Sequence, residues 1–241
     1  MMTGCCSIPP REAPAIPLWI NGRPVLTMPL AFHEIRESAS QRLIRRVPLV
    51  DIDLAASALT AARQAAPFRV QSVPAFLFEL EKALVELTDH FSGLSAVESH
   101  THLDAGKADV TNAIDHIRAL AVESLVSDQQ AHTVALAFAG AGMPVTAALA
   151  LVLPVVIHGG AVTLVPHTDA PSCALAMAEL CSQCGLPDGL FNVVYADDAI
   201  AQQLLVEHHP SLLRLMGPSA WAQRWQAVAL GHEVPCERVL A

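Results

Sequence analysis

Two glycines, Gly140 and Gly142, follow a run of apolar residues that is typical of a buried strand. Glycines at such a strand-to-helix turn let a phosphate group approach the backbone, and the N-terminus of the next helix attracts its negative charge. The pattern is incomplete, because Val145 stands where the dinucleotide fingerprint has its third glycine. No acidic residue follows ~20 residues further on to hold a ribose. The turn alone therefore indicates a phosphate site only weakly.

Two pairs of side chains have types that could bind a metal ion. His100 and His102 lie between helical flanks, where residues two apart do not share a face, so we expect a solvated turn. Cys181 and Cys184 lie on an apolar helix without a second close pair, which favours small buried side chains over zinc or redox chemistry. We predict no metal site.

Nucleophilic catalysis has no local signature in this chain. Serine, histidine, cysteine and aspartate are present, but no Gly-x-Ser-x-Gly or comparable motif occurs. His208 and His209 precede Pro210 at a predicted helix end, where an imidazolium suits the helix dipole, so we interpret them as a cap. We predict no catalytic residue.

The charge balance excludes two classes of partner. The 241 residues carry 14 basic and 23 acidic side chains, for a net charge of -9, and no basic run exceeds Arg45-Arg46. Nucleic acid and anionic membrane surfaces are therefore not expected as partners. The six cysteines show no regular spacing, and the N-terminus has no apolar segment behind a basic start, which favours a cytoplasmic location.

The segment from Gln129 to Thr168 contains no Asp, Glu, Lys or Arg. A membrane-spanning helix needs ~20 unbroken apolar residues. This segment is interrupted by Gly140, Gly142, Pro144, Pro154, Gly159 and Gly160. We predict a buried strand, helix and strand instead, because parallel strands covered on both faces are continuously apolar.

The N-terminal part has the signals of a hairpin and several helices. Asn21-Gly22 between apolar flanks predicts a tight hairpin, and Asp51 or Asp53 can cap a helix through Ala66. Further helices are expected from Pro74 to about His90 and from Asp109 to Ser124.

From Thr133 onward short strands alternate with helices, which predicts a parallel sheet. Strands are expected at 133–139, 161–165, 191–195, 212–216 and 227–230, and helices at 145–158, 170–184, 198–208 and 219–226. The fold class is α/β: a doubly wound, Rossmann-like sheet of about five strands. We divide the chain into a flexible arm (1–17), a hairpin and helices (18–130) and the Rossmann-like core (131–241), with 18–241 forming one folded unit.

The stretch Gly185-Leu186-Pro187-Asp188-Gly189-Leu190-Phe191-Asn192-Val193-Val194 resembles the GLPDGV and NVV run of the aldehyde dehydrogenase superfamily, most closely its methylmalonate-semialdehyde dehydrogenase type. The hairpin Trp19-Ile20-Asn21-Gly22 and the segment Gly160 to Pro166 are similar to other pieces of the same family. The resemblance extends from about Leu18 to Leu230 and implies the N-terminal, cofactor-binding half.

The family positions that carry chemistry are changed. By this resemblance Gly142 stands at the oxyanion asparagine, Val165 at the ribose-binding lysine and Ala229 at the general-base glutamate. Loss of one oxyanion donor typically costs ~10²- to 10³-fold in rate. The catalytic cysteine belongs to a later segment that these 241 residues do not contain, and Cys236 comes too soon after Ala229 to replace it.

The resemblance leaves Pro166, Gly217 and Ser219 as a weakened cofactor site. We expect no bound cofactor and a non-catalytic module that forms a homo-oligomer or pairs with another aldehyde dehydrogenase-like chain. In the alternative, the chain supplies an NAD or NADP site to a separate polypeptide that carries the cysteine. A truncated product without a selected function is a third interpretation, against which the retained apolar periodicity and helix caps argue.

Overall fold

The computed structural model describes residues 15–29, 31–36, 42–123 and 133–240. Its strands are β1 (Leu18–Ile20), β2 (Arg23–Val25), β3 (Ala31–Arg36), β4 (Leu43–Leu49), β5 (Val134–Ala139), β6 (Ala161–Val165), β7 (Phe191–Val193), β8 (Leu212–Met216) and β9 (Cys236–Arg238). Its helices are α1 (Ile52–Ala65), α2 (Val73–Glu86), α3 (Thr88–Glu98), α4 (Leu103–Glu123), α5 (Pro144–Ile157), α6 (Pro171–Gln183), α7 (Asp198–His208) and α8 (Ser219–Gly231).

The predicted α/β fold is confirmed. Among the described residues, seven strands form one sheet in the order β2-β1-β7-β6-β5-β8-β9, and β3 pairs with β4 separately. The five strands β5 to β9 run parallel to their neighbours, whereas β1 joins β7 in antiparallel fashion. Every residue of β5 and β6 is buried, so the central strands are covered on both faces. The predicted strand, helix and strand across the uncharged segment are β5, α5 and β6.

One strand prediction is wrong. Residues 227–230 form the last turns of α8 and not a strand, because the helix that begins at Ser219 buries Ala222, Trp225 and Ala229 at helical spacing. A short apolar run cannot be assigned to helix or strand by periodicity alone. The fifth parallel strand is β9, which pairs with β8.

The N-terminal region joins the same core. Asn21 and Gly22 both have positive φ, as the predicted tight turn requires, and the side-chain oxygen of Asn192 accepts a hydrogen bond from the Asn21 N–H at 2.9 Å. Residues 1–14 of the predicted arm lie outside the described residues, but Ile16 is buried and its N–H donates to the Arg46 carbonyl. One continuous hydrophobic cluster extends from Ile16 to Val234.

The predicted helices differ from the observed ones mainly at their ends. Asp51 caps α1 by accepting the N–H of Leu54, as expected. The helix expected to reach His90 divides into α2 and α3, and the helix expected to begin at Asp109 begins at Leu103. Strands β3 and β4 were not predicted from the sequence. Within the described residues, no helix is both long and apolar enough to cross a bilayer.

A buried carboxylate from α4 caps the N-terminus of α5. Asp109 accepts the backbone N–H groups of Val145 at 3.0 Å and Thr146 at 2.9 Å, and the Ser95 hydroxyl donates to it at 2.7 Å. The residue that precedes α5, Met143, has no side-chain capping bond. Asp109 therefore replaces the local cap and ties α4 to the helix that follows β5.

Glu98, at the end of α3, caps α6 in the same way. Its two carboxylate oxygens accept the N–H groups of Ser172 at 2.8 Å and Cys173 at 3.0 Å. Ala170, which precedes α6, has no capping side chain. Burial is the largest influence on the pKa of Glu98 and raises it, while the bonds to Ser172 and Cys173 act in the opposite direction.

We predict that Asp109→Asn lowers the free energy of unfolding by about 2–3 kcal/mol, because the amide offers one acceptor and presents a donor to the second N–H group. Urea unfolding monitored by circular dichroism measures this. The control is Asp115→Asn on the same helix, an exposed partner of Arg118, which should cost under about 0.5 kcal/mol. Equal losses of unfolding free energy in the two variants would show that the buried cap stabilises the fold no more than the exposed ion pair does.

Candidate functional site

The main cleft of the described residues opens at the carboxyl ends of the parallel strands. In the order β7-β6-β5-β8-β9, the chain runs from β5 outward to β6 and β7 and then crosses back to β8 on the other side of β5, so the switch point lies between β5 and β8. Ligands of doubly wound sheets bind in the crevice outside that point. Here the crevice has a volume of about 470 Å³, within the usual range for small-molecule sites.

Apolar and aromatic side chains form the walls of the cleft. Phe138 and Val165 come from the ends of β5 and β6, Pro166 follows β6, and Trp221 and Trp225 come from α8. The rings of Phe138 and Trp225 meet edge to face with centroids 4.6 Å apart, which fixes the inner indole. The walls therefore suit a flat apolar ring.

Polar residues lie around the rim. Nε2 of His33, from β3, is 2.7 Å from Oδ1 of Asp169, and Nδ1 of His167 is 3.8 Å from the other carboxylate oxygen. Both histidines line the cleft. This contact brings the β3–β4 ribbon against the loop after β6 and closes one side of the site.

Two consecutive carboxylates occupy the opposite rim. Asp197 caps α7 by accepting the N–H of Ile200 at 2.8 Å. Asp198 accepts a hydrogen bond from the Arg224 guanidinium at 2.6 Å. Both aspartates line the cleft. No lysine or arginine is among the described residues that line it.

The three predicted cofactor-binding residues do not meet around one cavity. Pro166 lines the main cleft. Gly217 lines a second, smaller pocket. Ser219 is the first residue of α8, as expected, and its hydroxyl accepts a hydrogen bond from Arg238 at 2.6 Å. Their role in cofactor binding stays a prediction.

Gly140 and Gly217 approach each other at the ends of β5 and β8. A methyl carbon on Gly217 would lie 2.9 Å from Cα of Gly140 and 3.0 Å from Cε3 of Trp221. One on Gly140 would lie 3.0 Å from Cδ of Pro218. Neither glycine lines the cleft, because Trp221 and Pro218 lie between them and its space. The glycines serve backbone packing and not an open phosphate cradle.

The second pocket lies next to Gly217, at the ends of β5, β8 and β9. Its volume is about 270 Å³, and its lining is mostly apolar, with Met143, Met216, Val239 and Leu240. Gly142, the position matched to the oxyanion asparagine, also lines it and offers no side-chain donor. The pocket can therefore accept apolar groups, and Arg238 adds a charged group to its lining.

The position matched to the general base requires a correction. Ala229 is buried near the C-terminal end of α8, which begins beside the cleft and runs away from it. At 1.5 Å per residue, Ala229 lies ~15 Å along the helix from Ser219. The residue lines neither pocket, so matching it to a strand motif was wrong together with the strand expected at 227–230.

No described cysteine lines the cleft or the second pocket. Cys173 and Cys181 are buried, as expected for Cys181, and burial raises the pKa of both thiols. Cys184 and Cys236 are partly buried, and burial raises the pKa of each as well. These thiols remain protonated at neutral pH and make poor nucleophiles.

The metal-binding alternatives receive no support. His100 and His102 lie on an exposed turn, as predicted, and His100 has a positive φ. Within the described ranges, no group of three His, Cys, Asp or Glu side chains could hold a metal ion. His209 ends α7 in the left-handed conformation, so it caps the helix through its backbone.

The residues at the rim and on the inner wall of the cleft were not predicted from the sequence. His33 and Asp169 are 136 residues apart and carry no local signal. Trp221 and Trp225 lie on the helix that opens at Ser219, and this aromatic spacing near a Gly-Pro turn was the one available hint.

Comparison with known proteins connects this architecture to one family. A model described as "Aldehyde dehydrogenase family" matches residues 31–229. The betaine aldehyde dehydrogenase of Vibrio vulnificus (strain YJ016) is 36% identical over 72 residues, covering 30% of this chain and 14% of that protein. The lactaldehyde dehydrogenase of Escherichia coli (strain K12) is 22% identical over 235 residues, covering 88% of this chain and 49% of that protein.

Solved structures agree on the fold. Lactaldehyde dehydrogenase from Escherichia coli superimposes with a TM-score of 0.84 at 20% identity, covering 95% of this chain and 52% of that one. Methylmalonate-semialdehyde dehydrogenase from Oceanimonas doudoroffii gives 0.84 at 20% identity, with 94% and 50% covered. NADP-dependent glyceraldehyde-3-phosphate dehydrogenase from Bacillus halodurans C-125, solved with NADP, gives 0.82 at 20% identity, with 94% and 52% covered. The chain thus spans about half the length of these structures.

We predict that Gly217→Ala lowers the free energy of unfolding by about 1–3 kcal/mol, because the new methyl group must displace Gly140 or Trp221. Gly231→Ala is the control. No atom lies within 4 Å of its added carbon, and alanine suits the helix end, so stability should rise by about 0.5–1 kcal/mol. Thermal unfolding compares the two, and a neutral Gly217→Ala would contradict the close approach.

Proposed function

Because the chain belongs to the aldehyde dehydrogenase family and its described residues place no nucleophile at the cleft, we propose that it is a non-catalytic binding module. It pairs with a second copy of itself or with another aldehyde dehydrogenase-like chain. The carrying observation is that none of the described cysteines lines either pocket at the sheet's carboxyl edge.

Aldehyde oxidation through a thioester needs a thiolate, an oxyanion donor, a base and a hydride acceptor. Gly142 offers no side-chain donor beside the second pocket, and Val165 in the cleft offers no cation or hydrogen bond. The described thiols are held protonated by burial. The described residues therefore lack several requirements of this one reaction, although the parallel sheet of the family is present. Fold alone does not convey activity.

The surface that supports pairing surrounds β9. This strand lies at one end of the sheet order and pairs only with β8 among the described strands. Leu240, directly beyond it, is 77% exposed and forms part of the apolar second pocket. An edge strand next to exposed apolar surface is a place where another chain can add its own strand or pack a side chain.

We expect the purified chain to leave aldehydes unoxidised with either NAD or NADP, because no described thiolate can attack the carbonyl. The measurement is formation of reduced nicotinamide by absorbance, with the Escherichia coli lactaldehyde dehydrogenase as a positive control. Calorimetry with NAD and NADP tests the alternative that the chain supplies a cofactor site to another polypeptide. Aldehyde-dependent reduction above the cofactor blank would overturn the non-catalytic proposal.

We expect Leu240→Glu to weaken self-association or partner binding at least about tenfold, because a carboxylate cannot be desolvated in the apolar pocket beside β9. Sedimentation equilibrium measures the change. Phe78→Glu is the matched control, since Phe78 is 64% exposed on α2 and should leave assembly unchanged. A wild-type protein that sediments as a monomer at micromolar concentration, with no partner recovered from its cells, would remove the proposal.

A further inference from the structure

The cleft and the dinucleotide that the family implies do not fit each other. A dinucleotide carries a charged pyrophosphate, which proteins hold with backbone N–H groups, arginine or lysine. The described lining of the cleft has no arginine or lysine, and it presents the carboxylates of Asp197 and Asp198. The guanidinium of Arg224 is already paired with Asp198. Asp197 caps α7, and no arginine or lysine stands beside it in the described lining.

Trp221 covers part of the backbone that a phosphate would approach. Phosphate-binding turns use glycine so that the anion can contact the main chain. Here Gly140 is buried, and the indole of Trp221 lies where a methyl group on either Gly140 or Gly217 would project, whereas Gly142 is exposed. Trp221 presents its remaining surface to the cleft. An aromatic side chain therefore lies over Gly140 and Gly217 at the edge of the cleft.

Arg238 is the cation near the start of α8, but it does not line the main cleft. Its guanidinium donates to the Ser219 hydroxyl and lines the second pocket, not the main cleft.

We infer that the cleft binds an uncharged aromatic molecule that carries hydroxyl or amino donors, and that it discriminates against phosphorylated forms of the same molecule. Trp221, Phe138 and Pro166 provide flat apolar surface, on which a ring gains stacking energy. The carboxylate of Asp197 at the rim can accept hydrogen bonds from hydroxyl or amino groups. A ligand phosphate would meet the Asp197 carboxylate with like charge.

This inference concerns the cleft alone and does not rest on the pairing proposed for β9. A monomeric protein that discriminates between the ligands below would remove the pairing proposal and leave this one standing. An oligomer that does not discriminate between these ligands would remove this inference and leave the pairing proposal standing.

The test compares adenosine with AMP, which differ by one phosphate, in calorimetric titrations of the full chain. We expect adenosine to saturate the protein at millimolar concentration or below and AMP to bind at least about tenfold more weakly. NAD should bind no more tightly than AMP. Binding of AMP or NAD as tight as that of adenosine, or no adenosine binding at millimolar concentration, would overturn the inference.

Two variants assign the discrimination to named residues. Trp221→Ala should weaken adenosine binding by about tenfold, because the stacking contact is lost. It should also reduce the difference in affinity between adenosine and AMP, because it exposes the glycine turn. Asp197→Asn keeps a side chain that can cap α7 but removes its charge. AMP should therefore bind more tightly, and the difference in affinity between adenosine and AMP should decrease. Unchanged affinities for both ligands in both variants would place the ligand elsewhere and overturn the inference.

The control variant is Gln223→Ala, an exposed position on the same helix that does not line the cleft. It should leave the affinities for adenosine and AMP unchanged. Far-ultraviolet circular dichroism of all three variants confirms that each remains folded. Fluorescence adds a direct readout, because a ring stacked on Trp221 should quench its emission, and quenching should be reduced in Trp221→Ala, where Trp225 still lines the cleft.

Discussion

Two buried carboxylates determine where the cleft can form. Asp109 and Glu98 bind the N-termini of α5 and α6, the helices that begin just after β5 and β6. Neither helix has a side-chain cap of its own, so these bonds from α4 and α3 satisfy backbone groups that would otherwise be buried without partners. The loops between strand and helix carry Ala141 and Pro166 into the lining of the cleft. The N-terminal helices thereby support the site without touching it.

The residues that build the fold are largely different from those that line the cleft. The parallel sheet and the hairpin that extends it depend on apolar side chains and turns, and these are retained. The carboxyl edge of the sheet presents Gly142, Val165 and Trp221, none of which has a charged side chain. A protein can keep a scaffold and change its site, because the two depend on different residues.

Local patterns predicted most of the fold because each strand and helix is decided within a few residues. Asp51 capped its helix and Asn21-Gly22 formed its turn as expected, since cap and turn chemistry act over two or three positions. The segment 227–230 was assigned to the wrong type because four apolar residues satisfy helix and strand patterns equally. β9 was missed because Cys236–Arg238 has little apolar character and is held by its pairing with β8.

The sequence by itself determined the alternation of strands and helices, the excess of negative charge and the absence of a lysine at Val165 or an amide at Gly142, because these are properties of single positions or short windows. Tertiary structure alone decided that His33 reaches Asp169 across 136 positions. It also decided that Trp221 covers the facing glycines Gly140 and Gly217. Such contacts depend on how distant elements pack, and periodicity reports only which face of an element is apolar, not which residue lies opposite.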